Sequence, residues 1–554
     1  MIYPEIELAQ SIIEICKSKK IQHIIISPGS RNAPLTIGFA SDPFFRCYSI
    51  ADERCAAFFA MGIAQQIQFP TAVVCTSGSA LLNYYPAVAE AFYSQIPLVV
   101  ISADRPSNKI DIGDGQTIRQ RDVYDNHILY NANLHEKASE QNDRFIQEAI
   151  NQAIYKKGPV HINAPFEEPL YNTVDQLTYV PKLVDNIQPE VSDIPIELYA
   201  EQWKKYAKKL ILIGVNTPEA LSQSTIDLFA NDPTVLVMTE TTSNVHHTHF
   251  VYNIDTIITA FEQEDFLQLQ PDLLVTFGGM IISKRIKNFL RKYSPEAHWH
   301  IDTLRFYDTY DCLTDRITST AENFFSQLQQ HLNNYHPSSP YQGWIDQIQQ
   351  QRQHSQHEFL KGIPFSDMKA FEIVFPQLPQ NSQLQISNSA AIRYAQLFPI
   401  DSSIEVFCNR GTSGIDGSTS TAIGAAIGSE KPNILITGDI GFLYDSNALW
   451  NNYIPKNFKI ILINNRGGGI FRILPGHVEN DIFHTYFETH HHLDISNLAK
   501  LYDLNYYRAT AEGELNEVLT EFWTNNNKAS LLEIQTPTLI NDAVLKDYFN
   551  NLVK

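Results

Sequence analysis

Cysteine is scarce in this chain. The six residues (Cys16, Cys47, Cys55, Cys75, Cys312 and Cys408) are scattered through 554 positions without a CxxC pair. Such usage points to reduced, mostly buried thiols in a cytoplasmic protein. Long apolar runs are missing as well, and none approaches the length that spans a bilayer. The opening stretch MIYPEIELAQSIIEICKSKK carries acids within an amphipathic pattern and reads as a first helix rather than a signal peptide. Positive charge is in short supply: 41 Lys and Arg face 61 Asp and Glu, for a formal net charge of −20. Nucleic acid and anionic membrane surfaces are held mainly by basic residues, so neither is expected as a partner. An anionic small substrate would need locally placed arginines, working against the general field.

What is present is an alternation of short apolar strand-like runs with amphipathic helical stretches, the signature of parallel sheets covered on both faces. The first third offers HIIIS, CYSI, TAVVCTS, PLVVISA and PVHINAP. The second offers KLILIG, TVLVMT, DLLVTFG and HWHID, and the last QLQIS, IEVFCN, NILITGD, KIILINN and ASLLEIQ. Proline-bearing polar passages, YVPKLVDNIQPEVSDIPIE and NNYHPSSPYQ, separate the thirds, and WIDQIQQQRQHSQHEFLK reads as a connecting helix. The expectation is three α/β domains with doubly wound, mostly parallel sheets, spanning 1–182, 190–335 and 355–554. No short repeat is present, and such sheets host many chemistries, so function must come from particular residues.

Two strand ends stand out. NILITGD closes on Gly438-Asp439, and KIILINN closes on Asn464-Asn465 before three glycines. Ligands of parallel sheets gather at the carboxyl ends of strands, and a right-handed crossover between consecutive strands brings two such ends together. A carboxylate, an amide oxygen and a carbonyl from the glycine turn are hard ligands suited to Mg²⁺, which keeps positions open for phosphate oxygens. Each half alone reads as an ordinary turn.

Together, at this spacing, they resemble the motif of thiamine diphosphate-dependent enzymes that begins with Gly-Asp and closes with Asn-Asn. The resemblance implies that Asp439, Asn465 and the carbonyl of Gly467 hold Mg²⁺ (or Mn²⁺) on the diphosphate. Ile440 stands where many members have a glycine, and no ligand is lost by it. The family also needs a distant acid against the aminopyrimidine ring, and Glu53 in CYSIADERCAAFFAMGIA is placed for it. By itself Glu53 is a first-turn helix acid favoured by the dipole. In the family, acid and diphosphate site usually come from different subunits, which implies a homodimer or tetramer with shared sites.

The stretches SPGSRNAPL, ADRP, GDGQTIRQ, SKRIKNFL, SNSAAIR, CNRGTSGIDG and INNRGGGIF are similar to one branch of this family across essentially the whole chain. Members of that branch, transferases of menaquinone biosynthesis, join 2-oxoglutarate to isochorismate with loss of CO₂. Both substrates are dianions. Arg31, Arg105, Lys284, Arg285, Arg393 and Arg410 sit in the matched stretches, and a guanidinium forks onto a carboxylate. Taken singly, each is an ordinary surface ion pair.

The resemblance further implies that Ser30, Gln116 and Ser389 orient substrate. It makes Ile415 the aliphatic wedge that bends the cofactor, and Ile470 and Phe471 its apolar contacts, with plain core packing as the rival for those three. Ser387 replaces a family glycine in SNS. Two histidine runs, His246-His247-His249 and His490-His491-His492, lack the spacing of a zinc site and read as solvated loops. The middle unit lacks GxGxxG, which argues against a flavin or nicotinamide there. The rival readings are another thiamine enzyme, such as a 2-oxo acid decarboxylase or acetolactate synthase, and a non-catalytic metabolite-binding regulator on the same sheets.

Overall fold

A computed structural model describes residues 2–184, 193–473, 476 and 478–552. Residues 185–192, the middle of the first expected linker, lie outside the described residues. Three all-parallel sheets are present, each built from buried β-branched and leucine-rich strands, joined mostly through helical connections.

The first sheet runs, in spatial order, Arg46–Ser49, His23–Ile26, Thr71–Cys75, Leu98–Asp104, Val160–Pro165, Asn131–Asn133. The last runs Glu405–Phe407, Gln383–Ile386, Asn433–Gly438, Lys459–Asn464, Ser530–Gln535, Asn505–Ala509. Counted in chain order within each sheet, both follow 2-1-3-4-6-5. The middle sheet is Val235–Thr239, Lys209–Ile213, Leu273–Phe277, Ala297–Asp302, Asp315–Thr318, or 2-1-3-4-5. Strand order therefore reverses between the first and third strand of every sheet, and the crevice outside those two carboxyl ends is where a doubly wound fold binds its ligands.

The sequence reading found every central strand and missed Asn131–Asn133, Asp315–Thr318 and Asn505–Ala509. Each is the last strand at one edge of its sheet. An edge strand half open to water need not carry a continuous apolar run, so NAN, DRIT and NYYRA leave no such signal. A small antiparallel pair, Tyr3–Pro4 with Thr173–Val174, was also not foreseen. The connecting helix is Tyr341–Leu360.

The first and third domains share a core centred on two helices, Glu53–Ile67 and Ser418–Gly428. Their facing residues are small: Ala56, Ala60 and Ala64 on one, Ala422 and Ala425 on the other, all buried. The backbones nearly touch. A Cβ on Gly62 would lie 2.1 Å from the Thr421 carbonyl oxygen, and one on Gly424 would lie 2.0 Å from that of Phe59. Buried carboxylates fasten the same seam. Asp445, after the second helix's partner strand, accepts from the Ser420 backbone N–H at 2.7 Å and lies 3.8 Å from Arg54. Burial pushes its carboxyl up to about 6.

Gly424→Leu should therefore force the helices apart, costing about 1–3 kcal/mol as overpacked cores do. Urea unfolding followed by circular dichroism should show an earlier transition than wild type, and an unchanged midpoint would mean that the two helices separate without penalty.

Candidate active site

In the last sheet the switch-point crevice lies between Gln383–Ile386 and Asn433–Gly438. Asp439 is the first residue of a short helix, Asp439–Tyr444, that starts where the strand ends. Its side chain is 3% exposed. Oδ1 accepts from the Ile440 N–H at 2.7 Å, and Oδ2 from the Gly467 N–H at 2.9 Å. His491 Nε2 lies 3.1 Å from the same Oδ2. The neighbouring strand, paired so that Gly438 sits opposite Ile463, delivers the two asparagines.

These asparagines are used differently. Asn464 is turned into the fold: its Nδ2 donates to Glu533 at 2.5 Å and its Oδ1 accepts from the Arg466 N–H at 3.0 Å. Asn465 donates its Nδ2 to Asp367 Oδ2 at 3.0 Å, which fixes the amide and leaves Oδ1 as its remaining acceptor. Asp367 is itself held by Thr536 Oγ1 at 2.5 Å and by its own N–H on Asn541 at 2.8 Å, and burial raises its carboxyl to about 6. Gly467 is packed under Glu488, whose carbonyl oxygen would be 2.9 Å from an added Cβ. Ile415 lies over the adjoining helix, its carbonyl oxygen 3.5 Å from where a Gly441 Cβ would be. Asp367, in FSDMKAF, had no sequence signal beyond that of a helix-start acid.

The loop beyond Gly467 leads into Ile470, and Ile470 lines a cavity of about 240 Å³ together with Lys284, Arg285 and Arg393. Arg393 is held by the Ser389 carbonyl oxygen at 2.7 Å. Burial, with the Arg410 charge beside it, pulls its pKa below the ordinary arginine value, so an anion would relieve a crowded cation pair. Arg410 Nη1 donates to Asn388 Oδ1 at 2.7 Å, and Asn388 Nδ2 binds the carbonyls of Asn409 and Gly414. Ser389 has φ +74°, so the unusual backbone of SNS falls there rather than at Ser387, whose N–H pairs with the Ile436 carbonyl at 2.9 Å. Phe471 stacks edge-on against Phe487, ring centroids 5.8 Å apart.

Two buried acids face that basic cavity, and sequence reasoning passed over both. Glu240 accepts from the N–H groups of Ile282 and Ser283, each at 2.7 Å, and burial pushes its carboxyl up to about 7. Asp255 takes the Ser283 hydroxyl. Together they fix the turn that starts the helix Lys284–Lys292 and so place Lys284 and Arg285. Glu240 follows the strand Val235–Thr239 directly, the same strand-end position that singled out Asp439. Glu90, equally unforeseen, accepts from the Gly411 and Thr412 N–H groups at 2.7 Å and ties the Arg410 loop to the first domain.

The remaining predicted residues lie in the first domain, beyond the carboxyl ends of several of its strands. Arg31 is buried and donates to the Phe166 carbonyl and to Glu168, both at 3.0 Å. Arg105 donates to the Gly115 carbonyl at 2.9 Å, next to Gln116, and Ser30 is exposed at the end of the first strand. Glu53 opens its helix beside the capping residue Asp52. Burial, with Asp52 adding to it, raises the Glu53 carboxyl. Among the described residues, no hydrogen bond or ion pair links Glu53 to Asp439, Asn465 or Gly467. One of the two histidine runs also departs from expectation. His490 and His492 are exposed as expected, but His491 is largely covered and reaches Asp439, and His490 bonds Glu488 at 2.7 Å, so the run adjoins the site.

Comparison with known proteins defines the class. The chain matches the family models for the thiamine pyrophosphate enzyme N-terminal binding domain over residues 6–127, the middle domain over 187–386 and the C-terminal binding domain over 389–534. It is a thiamine diphosphate enzyme of three α/β domains. Proteins named 2-succinyl-5-enolpyruvyl-6-hydroxy-3-cyclohexene-1-carboxylate synthase are similar along the whole length. That of Flavobacterium psychrophilum is 63% identical, covering 100% of both chains, and that of Flavobacterium johnsoniae 62%, again covering 100% of both. That of Porphyromonas gingivalis is 36% identical over 97% of this chain and 96% of its own. The chain belongs to this synthase family.

Asp367→Ala should free the Asn465 amide to turn and weaken thiamine diphosphate binding with Mg²⁺ by about tenfold, as loss of an outer partner to a metal ligand typically does. Calorimetry giving the wild-type affinity would show that Asp367 does not orient the amide.

Proposed function

We propose that this protein decarboxylates 2-oxoglutarate and adds the remaining succinyl unit to isochorismate, giving 2-succinyl-5-enolpyruvyl-6-hydroxy-3-cyclohexene-1-carboxylate and CO₂ for menaquinone biosynthesis. The observation that carries the reading is continuity: the Asn465–Gly467 turn beside Asp439 runs directly into the wall of a cavity edged by Lys284, Arg285 and Arg393. A hard-oxygen cation site thus adjoins a place for dianions, as a smaller monoanionic 2-oxo acid would not require.

The residues fit the cofactor's needs. Asp439, Asn465 and the Gly467 carbonyl form an oxygen-only donor set for Mg²⁺ or Mn²⁺ on the diphosphate. Bound thiamine diphosphate supplies the carbanion and the electron sink. Glu53, its carboxyl already raised by burial, is suited to share a proton with a ring nitrogen of the aminopyrimidine. Arg393, Arg410, Lys284 and Arg285 neutralise substrate carboxylates, while Ser389, Ser30 and Gln116 orient them. Ile415, Ile470 and Phe471 provide apolar contacts that keep water from the reacting carbon. Positioning supplies most of what the protein adds.

Among the described residues no hydrogen bond or ion pair joins Glu53 to Asp439, Asn465 or Gly467, and with the family resemblance this leads us to infer a homodimer or larger assembly in which one protomer's Glu53 completes its partner's site. No helix among the described residues is long and apolar enough to cross a membrane. A cytoplasmic location agrees with that and with the free cysteines. Purified protein given thiamine diphosphate, Mg²⁺ and 2-oxoglutarate, with and without isochorismate, tests the reading. Mass spectrometry should find the adduct only when both substrates are present, and CO₂ release without any adduct would make it a simple decarboxylase.

Arg393→Ala and Arg410→Ala should lower kcat/KM by at least about tenfold, since a charge-assisted bond contributes roughly 1.5–3 kcal/mol, with cofactor affinity retained. Wild-type kcat/KM for both substrates in either variant would return that arginine to a structural role.

Glu53→Gln and Asp439→Ala chains should each be inactive alone. Mixed by dissociation and reassociation, they should regain activity, because one site of each heterodimer would carry neither lesion. Confirmed heterodimers without recovery would mean that acid and metal site act within one chain.

A further inference from the structure

The described chain after Arg472 returns over the cofactor loop through Phe483–Glu488, a π-helical turn. Such turns inside a fold often mark functional sites. Here it places His484 and Glu488 on one side, and Thr489, with φ +52°, folds the chain back so that His490 joins them. His484 Nδ1 and His490 Nε2 each lie 2.7 Å from the same Glu488 oxygen, Oε2, and the two rings stand edge to face at 5.7 Å. One donor atom from each of the three residues lies within 4.8 Å of the others. Two ligands about a turn apart and a third close by is the arrangement whose absence from the run His490-His491-His492 argued against a zinc site. It emerges once His484 and Glu488 are counted.

We propose that His484, Glu488 and His490 form a second metal site, separate from the Asp439 oxygen set and selective for a divalent transition ion of the zinc class. The donor chemistry points that way. Two imidazole nitrogens and one carboxylate favour Zn²⁺ over Mg²⁺, and three protein ligands leave a fourth position for water. Glu488 is 1% exposed, whereas the His484 and His490 side chains are 41% and 34% exposed, so an ion has a path in from solvent. Burial alone would raise the Glu488 carboxyl, but hydrogen bonds from Arg472, His484 and His490 outweigh it and hold it below the ordinary value. Arg472 grips both of its oxygens and acts as the outer support that fixes ligand orientation.

An ion needs Zn–N and Zn–O distances of about 2.0–2.2 Å. Tetrahedral donors at those distances stand about 3.3 Å apart, so the two N···O separations of 2.7 Å would widen by roughly 0.6 Å through movement of two partly exposed rings. The ion would also act on its surroundings. The Glu488 carbonyl accepts from the Gly468 N–H at 2.6 Å, and the residue after His490 rests on Asp439. A metal here would fasten the 483–491 segment onto the loop that carries Asn465 and Gly467.

The test uses full-length protein, stripped of metal and free of thiamine diphosphate, titrated with Co²⁺ and then Zn²⁺. Wild type should bind one Co²⁺ per chain with visible absorption typical of nitrogen ligation, and Zn²⁺ should displace it. His484→Ala and His490→Gln, each checked for fold by circular dichroism, should weaken that binding by at least about tenfold. Asp439→Ala should keep it. Hydrogen exchange across 483–491 should slow on adding Zn²⁺ to wild type and not in His490→Gln. The site is overturned if wild type binds no Co²⁺, if both histidine variants bind like wild type, or if only Asp439→Ala loses the ion.

Discussion

The close approach of two helix backbones, at Gly62 against Thr421 and Gly424 against Phe59, is the constraint on which the rest of the molecule depends. Each helix follows a strand end rich in polar residues. Glu53 opens the first, and the loop Arg410–Gly417 leads into the second. Any side chain larger than hydrogen at Gly62 or Gly424 would change the spacing of the two domains, and with it the relation between the acid-bearing crevice and the Asp439 crevice. Glu90 fixes the same seam by accepting backbone N–H groups across it, and Asp445 does so through Arg54, 3.8 Å away, so packing sets the distance and polar contacts set the register.

A chain of net charge −20 nonetheless builds a cationic cavity, and the buried acids are the means. Asp255 is attracted to Arg285 and Arg393, and Glu240 to Arg410, but the acids also have a structural task. They hold the backbone turns from which Lys284, Arg285 and Arg410 project. Burial raises Glu240 to about 7, so near neutral pH it is partly uncharged and opposes a bound dianion less than an ordinary carboxylate would. The acids thus set geometry at a modest electrostatic cost to the site they support.

This division of labour decides what was legible in the sequence. Central strands were readable because burial on both faces demands an unbroken apolar run, and the three edge strands escaped because exposure removes that demand. Asp439, Asn465 and Glu53 announced themselves by standing at strand ends beside glycine or at a helix start. Asp367, Asp255 and Glu90 did not, since each is an ordinary acid in its local context and acquires its task only from what folds against it. Glu240 could have been found, because it too stands directly after a buried strand. The spacing His484–Glu488–His490 was likewise hidden: a π turn and one left-handed residue bring the three together, and neither is encoded by a periodicity that sequence inspection detects.

The matched strand order of the outer sheets gives the deepest reason for the site's design. Both reverse between their first and third strands, so each offers one crevice, with Ser30 and Arg31 following the first strand of one and Asp439 following the third strand of the other. The middle sheet reverses at the same place, and there the two strand ends touch backbone to backbone while cavities of about 480 and 410 Å³ open beside Gly278 and Gly279. The Gly214 N–H pairs with the Phe277 carbonyl, the Gly279 N–H pairs with that of Val215, and a Cβ on Gly214 would lie 1.9 Å from the Gly279 oxygen. The middle domain also reaches the cavity lined by Arg393 from the side, through the helix that starts at Lys284 and is held in place by Glu240 and Asp255.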